Sequence, residues 1–207
     1  MFSEARDAAI LALGFGAALR RSELVGLDWY RLGEGSGFLT IDERGLLVTL
    51  MTSKASQATA EEVIVPRTHA ALLCAKVEAW VELGGIGRGT PLFRPIDGNT
   101  KQGHHVMKER FNARSIPRVV KRRAYELYAA RNKDAGKKKL SARDLKAKVE
   151  QFSGHSMRVG HVTCASNRGV NDAHIQKTTR HKTRQMISVY TRVTDAVRHS
   201  SLKGSDL

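Results

Sequence analysis

The run Ala8 to Leu19, twelve residues without a polar side chain, most constrains what this chain can fold into. It is too short to span a bilayer, which takes about 20 apolar residues, and it stops at Arg20-Arg21. It has neither a basic leading segment nor a small-residue cleavage site, so it does not read as a secretory leader. The remaining solution is a buried helix. Residues 4–19 are rich in Ala and Leu, with the charged Glu4, Arg6 and Asp7 confined to the first turns, as a core helix requires. Arg20 to Leu27 are expected to continue or restart it, with Leu24, Val25 and Leu27 as anchors.

After the glycine-rich turn Gly33 to Gly37 the periodicity changes. Phe38–Ile41, Leu46–Met51 and Glu62–Pro66 are short and rich in β-branched residues, and read as three strands separated by turns. Thr68–Leu83 carries apolar residues at helical spacing (Ala71, Leu72, Ala75, Val77, Ala79, Trp80). Pro91 to Gly103 reads as a loop. Helices are predicted over about 105–116, 117–132, 141–151, 156–168, 171–179 and 184–196. Ser141-x-x-Asp144 has the form of a capping box, Asn171 and Thr183 that of N-caps, and Gly136 that of a C-cap. The fold class is mainly α with one small antiparallel β-sheet (α+β), in a single domain over 1–207.

Charge narrows the function. The chain holds 35 Lys and Arg against 20 Asp and Glu, a formal +15. Residues 101–150 hold sixteen of the cations and five of the anions, so this stretch carries +11. A polyanionic partner is implied, nucleic acid first. Cys74 and Cys164 stand alone with no CxxC, which excludes a disulfide scaffold and fits a reducing, cytoplasmic compartment. No membrane association is expected.

Four features could carry chemistry. Arg20-Arg21-Ser22-Glu23 follows the apolar run. Paired arginines at a helix end are ordinarily solvated, but one held by a rigid junction presents a fork to a phosphate, and Glu23, one helical turn on, can hold Arg20 in place. Lys54 lies in a turn between two strands, ordinarily solvent decoration. A hairpin leaning over a substrate would let it deliver a proton to a leaving oxygen. In Ser153-Gly154-His155-Ser156-Met157-Arg158, His155 and Arg158 share a helix face, which suits a phosphate. A zinc site from His155 and His161 lacks a suitably spaced third ligand, so no metal is expected. Last, Tyr190 follows His181 at apolar helical spacing with Met186, Val193 and Val197. Such a tyrosine is ordinarily core, yet a phenol surrounded by cations is also a nucleophile.

Taken in order, Arg20, Lys54, His155-x-x-Arg158, His181 and Tyr190 resemble the active-site signature of the tyrosine recombinases, or phage integrases. The 23 residues from Arg158 to His181 and nine from His181 to Tyr190 agree with it. Phe152 to Gly160 and Val119-Val120-Lys121-Arg122-Arg123-Ala124 are similar to Cre-type members, and the resemblance runs from about residue 8 to 193. It implies the catalytic-domain fold of that family and a site-specific recombinase or integrase. Arg20 and Arg158 would clamp the non-bridging oxygens of the scissile phosphate and Lys54 would protonate the departing 5′ oxygen. His155 would assist proton transfer, His181 would hydrogen-bond the phosphate, and Tyr190 would attack to form a 3′-phosphotyrosyl link. Glu23 matches a supporting acidic position.

Double-stranded DNA is the implied partner, with Lys121, Arg122, Arg123, Lys137, Lys138 and Lys139 along its backbone. Self-association on DNA follows, as a tetrameric synapse in relatives, and a location on the nucleoid. No cofactor, metal or ATP is called for. Relatives carry a helical DNA-binding domain ahead of the catalytic one. Arg20 arrives so early that this domain and the first catalytic-domain helices are expected to be absent. Arg180 stands before His181 where the family more often has glycine. Two other readings stay open. A non-catalytic DNA-binding remnant would be indifferent to its tyrosine, and a type IB topoisomerase-like enzyme would relax plasmids lacking any cognate site. A helix-turn-helix regulator finds little support, since no short glycine turn stands in the right context.

Overall fold

A computed structural model describes residues 1–54, 57–98, 104–133 and 139–180. The apolar run forms the central helix α1 (Phe2–Gly16), with Ala9, Ile10, Ala12 and Leu13 buried in the main core. The chain does not continue the helix through Arg20 but restarts as the short α2 (Arg21–Val25). Gly14 allows α6 (Ser156–Asn167) to pack closely, since a Cβ there would fall 2.6 Å from the Met157 sulfur.

The sheet is larger than the sequence implies, and mixed. β1 (Leu27–Trp29), β2 (Gly37–Asp42), β3 (Gly45–Lys54), β4 (Gln57–Pro66) and β5 (Thr90–Pro91) lie in the order β4-β3-β2-β1-β5. All pairs are antiparallel except β1 with β2, which is parallel. That pairing depends on the glycine-rich turn. Asp28, almost fully buried, accepts the Gly35 N–H at 2.6 Å and a bond from Arg110 at 2.5 Å, while Arg110 also donates to the Val25 and Leu27 carbonyls. α3 (Arg67–Leu83) closes the core against α1, burying Cys74, Val77 and Trp80, and the Trp80 indole donates to the Leu92 carbonyl.

Residues 105–116 are not the expected helix. A two-stranded ribbon, β6 (Ile96–Asp97) with β7 (His105–Val106), and a 3₁₀ turn (Ala113–Ser115) precede α4 (Ile116–Lys133). Two interactions explain this, one of them with a residue outside the segment. The Phe111 N–H is taken by the Phe93 carbonyl, and the Asn112 side chain accepts from Arg114 N–H to start the turn. Pro117, the second residue of α4, suits a helix start because it has no N–H to offer an upstream carbonyl.

The rest follows the expected order. α5 (Ala142–Glu150) opens with the Ser141–Asp144 capping box, and α7 (Asp172–Thr179) with Asn171 accepting from Ala173 N–H. Val162 of α6 and Ile175 of α7 form a small second core. Gly136, Thr183 and the predicted helix 184–196 lie outside the described residues. No helix among the described residues is long and apolar enough to cross a membrane.

Candidate active site

The site is built around the end of α1. Its last turn closes with Leu19 N–H on the Gly14 carbonyl and Ala18 N–H on the Phe15 carbonyl. This is the Schellman arrangement that glycine usually terminates. Here Ala18 takes the left-handed position at φ 49°, a conformation that costs an L-residue about 1–2 kcal/mol. The outward-facing carbonyls are met by side chains from the far end of the chain. Arg158 donates to Ala18 O at 2.8 Å, the His161 ring bonds Phe15 O at 2.8 Å, and Arg180 reaches Ala17 O at 3.5 Å. Cations at a helix C-terminus are favoured by the unsatisfied carbonyls there. The same contacts lock α6 and the end of α7 onto the turn that leads into Arg20.

Arg20 begins α2 and is half exposed. Glu23 holds it twice: Oε2 accepts the Arg20 backbone N–H at 2.8 Å and Oε1 accepts from its guanidinium at 2.5 Å. Arg180 donates to Glu23 Oε2 from the other side at 2.7 Å. Burial pushes the Glu23 carboxyl up, but the Arg20 backbone bond and the Arg180 and Arg20 charges outweigh it and leave it below the ordinary glutamate value.

Two hollows open on this group. One, about 320 Å³, is lined by Arg20, Arg21, Ser22, Ser153, Gly154 and His155. The other, about 330 Å³, is lined by Arg20, Ser22, Glu23, Arg180 and the stem of the β3–β4 hairpin, including Met51 and Glu61. Arg20 and Ser22 are common to both. His155 stands at the N-cap position of α6, and burial followed by the Arg158 and Arg20 charges holds its imidazole below the ordinary histidine value. Arg158 lies one turn further along α6 and is 1% exposed. Arg20 and His155, 135 positions apart, therefore line one hollow, while Arg158 is buried against the Ala18 carbonyl and lines neither. His161 is turned to Phe15 instead, its ring edge-on to the phenyl at 5.7 Å.

The other sequence-predicted residues are placed as follows. Lys54 is the last residue of β3, paired with Gln57 at the hairpin end, about 10 Å along the strand from Met51. Lys121, Arg122 and Arg123 lie on α4 away from the hollows. Lys121 pairs with Glu150, and Arg122 and Arg123 both bind the buried Asp7 carboxylate, so these cations also brace the fold. Lys139 is exposed. Lys137, Lys138, His181 and Tyr190 lie outside the described residues.

The phage integrase family model matches residues 2–196, nearly the whole chain. The chain belongs to the phage integrase family. An integrase/recombinase XerD homolog of Selenomonas ruminantium is 29% identical over 188 residues, covering 89% of this chain and 46% of that protein. Among solved structures, the XerH site-specific recombinase bound to a palindromic difH substrate, a post-cleavage complex, is similar with TM-score 0.55 and 13% identity, over 98% of this chain and 47% of that one. Its pre-cleavage complex gives TM-score 0.52 and 14% identity, over 95% and 46%. The chain thus spans about half the length of the integrase-family proteins it matches, and the structural likeness is one of fold.

Several parts of this candidate site had no signal in the sequence. The exposed carbonyls of Ala17 and Ala18 follow from backbone shape, and Glu61 is one of many charged strand residues. Arg180 was visible only as a departure from the family's glycine, with nothing to say that it would fold back onto Glu23.

Proposed function

We propose that this chain is the catalytic part of a DNA strand-transferring recombinase or integrase that works through a phosphotyrosyl intermediate. The observation that carries the reading is the hollow that Arg20 and His155 line together, with the Arg158 charge acting on His155, in a chain that belongs to the phage integrase family. In the proposed step the Tyr190 phenol oxygen attacks the scissile phosphorus and the bond to the 5′ oxygen breaks. The result is a 3′-phosphotyrosyl ester and a free 5′-hydroxyl. The phenol proton passes to His155, and Lys54 supplies a proton to the departing oxygen. Arg20, Arg158 and His181 meet the negative charge that gathers on the non-bridging oxygens, the interaction preorganised donors serve best.

One phosphodiester is exchanged for another, so the bond energy is retained and the reverse attack rejoins the strand. Double-stranded DNA as substrate is supported by the +15 charge and its concentration in residues 101–150 and by the DNA-bound state of the XerH neighbours. Such binding weakens steeply with salt because counterions are released. Self-association on the duplex and a place of action on the nucleoid, in the cytoplasm, complete the reading.

The test is incubation with nicked suicide duplexes tiled across the DNA that flanks this chain's gene, in EDTA and without nucleotide. A protein–DNA band that survives boiling in detergent is the expected result. Binding by gel shift with no such band would leave the chain a DNA-binding remnant.

A further inference from the structure

Arg180 ends α7 in the left-handed region at φ 56° and ψ 38°, its N–H on the Gln176 carbonyl at 2.7 Å. An arginine is strained there and glycine is not. Yet the side chain is only 7% exposed and both terminal guanidinium nitrogens are engaged. One terminal nitrogen binds Thr178 O at 2.9 Å and Ala17 O at 3.5 Å, and the other binds Glu23 Oε2 at 2.7 Å. Nε faces Glu61 across 3.6 Å. The guanidinium is therefore fixed to the end of α1 and to its own turn, and from that platform it grips the carboxylate that holds Arg20.

We propose that Arg180 is a positioning residue for Arg20. This rests on the reading of the hollow as the phosphate site. Glu23 stands between the two guanidiniums, with Oε1 on Arg20 and Oε2 on both Arg180 and the Arg20 backbone. With Oε2 pinned from behind, Oε1 can point one way only, and the half-exposed Arg20 loses its freedom to swing into solvent. There is also a charge argument. Arg20 and Glu23 alone form a neutral pair that would present little field to a phosphate. Arg180 adds a second cation to the same carboxylate. Glu61, more distant and half exposed, offsets only part of it. The strain in the turn is thus the counterpart of a preorganised Arg20.

The experiment compares single-turnover cleavage of the suicide duplex, duplex affinity and thermal melting for wild type, Arg20→Ala, Arg180→Gly, Arg180→Lys and Arg180→Gly combined with Arg20→Ala. Glycine suits the left-handed turn, so Arg180→Gly should fold. Its cleavage should fall about 10²-fold, the size of a misplaced catalytic group, with duplex affinity nearly unchanged. Arg180→Lys keeps the charge and one donor and should recover part of the rate, and it serves if the glycine variant melts early. In the Arg20→Ala background, Arg180→Gly should cost nothing more, because the two substitutions remove the same interaction. Wild-type cleavage by Arg180→Gly would overturn the inference while leaving the enzyme intact. So would an equal cost with Arg20 already gone. No cleavage by wild type at all would remove the phosphate-site reading and this inference with it.

Discussion

Arg20→Ala is expected to slow strand cleavage by about 10²–10³, the loss that follows removal of one preorganised donor, and to leave thermal stability nearly unchanged. The side chain is half exposed, Glu23 keeps Arg180 as a partner when it is removed, and the turn it occupies is set by backbone bonds from Leu19, Ala18 and Leu24. Arg158→Lys is expected to lose cleavage by a similar factor, but for a side chain in a different position. Arg158 is 1% exposed and donates to Ala18 O. Lysine keeps the charge and gives up the planar fork that can serve a carbonyl and a phosphate together. The lysine variant should therefore also melt earlier than wild type, whereas Arg20→Ala should not. Single-turnover cleavage and melting, measured on both, separate the two cases. Full activity in either variant would remove that arginine from the phosphate site.

Asp7→Asn carries the largest expected effect on stability. Asp7 is fully buried and its carboxylate takes bonds from Arg6 at 3.0 Å and Arg123 at 3.2 Å, and from Arg122. Arg6 is itself buried, stacked over the Phe111 ring at 4.5 Å, and burial lowers its pKa from the ordinary arginine value. Removing the carboxylate charge strands a buried cation, which typically costs about 3–5 kcal/mol. For a chain of this size that is a fall in melting temperature on the order of 10 °C. Asp42→Asn, which breaks the exposed pair with Arg44, is the control and should melt close to wild type. If Asp7→Asn melts with the control, the Asp7 cluster does not hold α1 to α4.

How much of this could be read from the sequence depended on whether the cause was local. Helix α1 was legible because an uninterrupted apolar run has one stable outcome, and α5 and α7 because Ser141 and Asn171 cap the helices that begin beside them. The 105–116 segment was misread because its structure is decided by Phe93 and by Pro117, neither of which shows in a count of apolar residues. The parallel β1–β2 pair was invisible for the same reason: it needs Arg110 to reach Asp28, 82 positions away. The candidate site divides in the same way. Arg20, Glu23, His155 and Arg158 announce themselves by residue type and short spacing, and the fold puts Arg20 and His155 on one hollow, with Glu23 holding Arg20 and Arg158 buried on the Ala18 carbonyl. That Arg158 leans on Ala18, 140 positions away, and Arg180 on Glu23, 157 positions away, is a property of how α6 and α7 meet the end of α1. The basic residues Arg122 and Arg123 show the converse. Their charge was plain, but their engagement with Asp7 was not.

The central claim is that one phenol attacks a phosphorus atom held by side chains drawn from across the chain. Its most direct test is to digest the detergent-resistant complex with trypsin and nuclease and to find by mass spectrometry which peptide carries the nucleotide. The account predicts the segment Gln185 to Arg192, modified on Tyr190. A nucleotide on Tyr30, Tyr125, Tyr128, His155 or any serine of the site would contradict it.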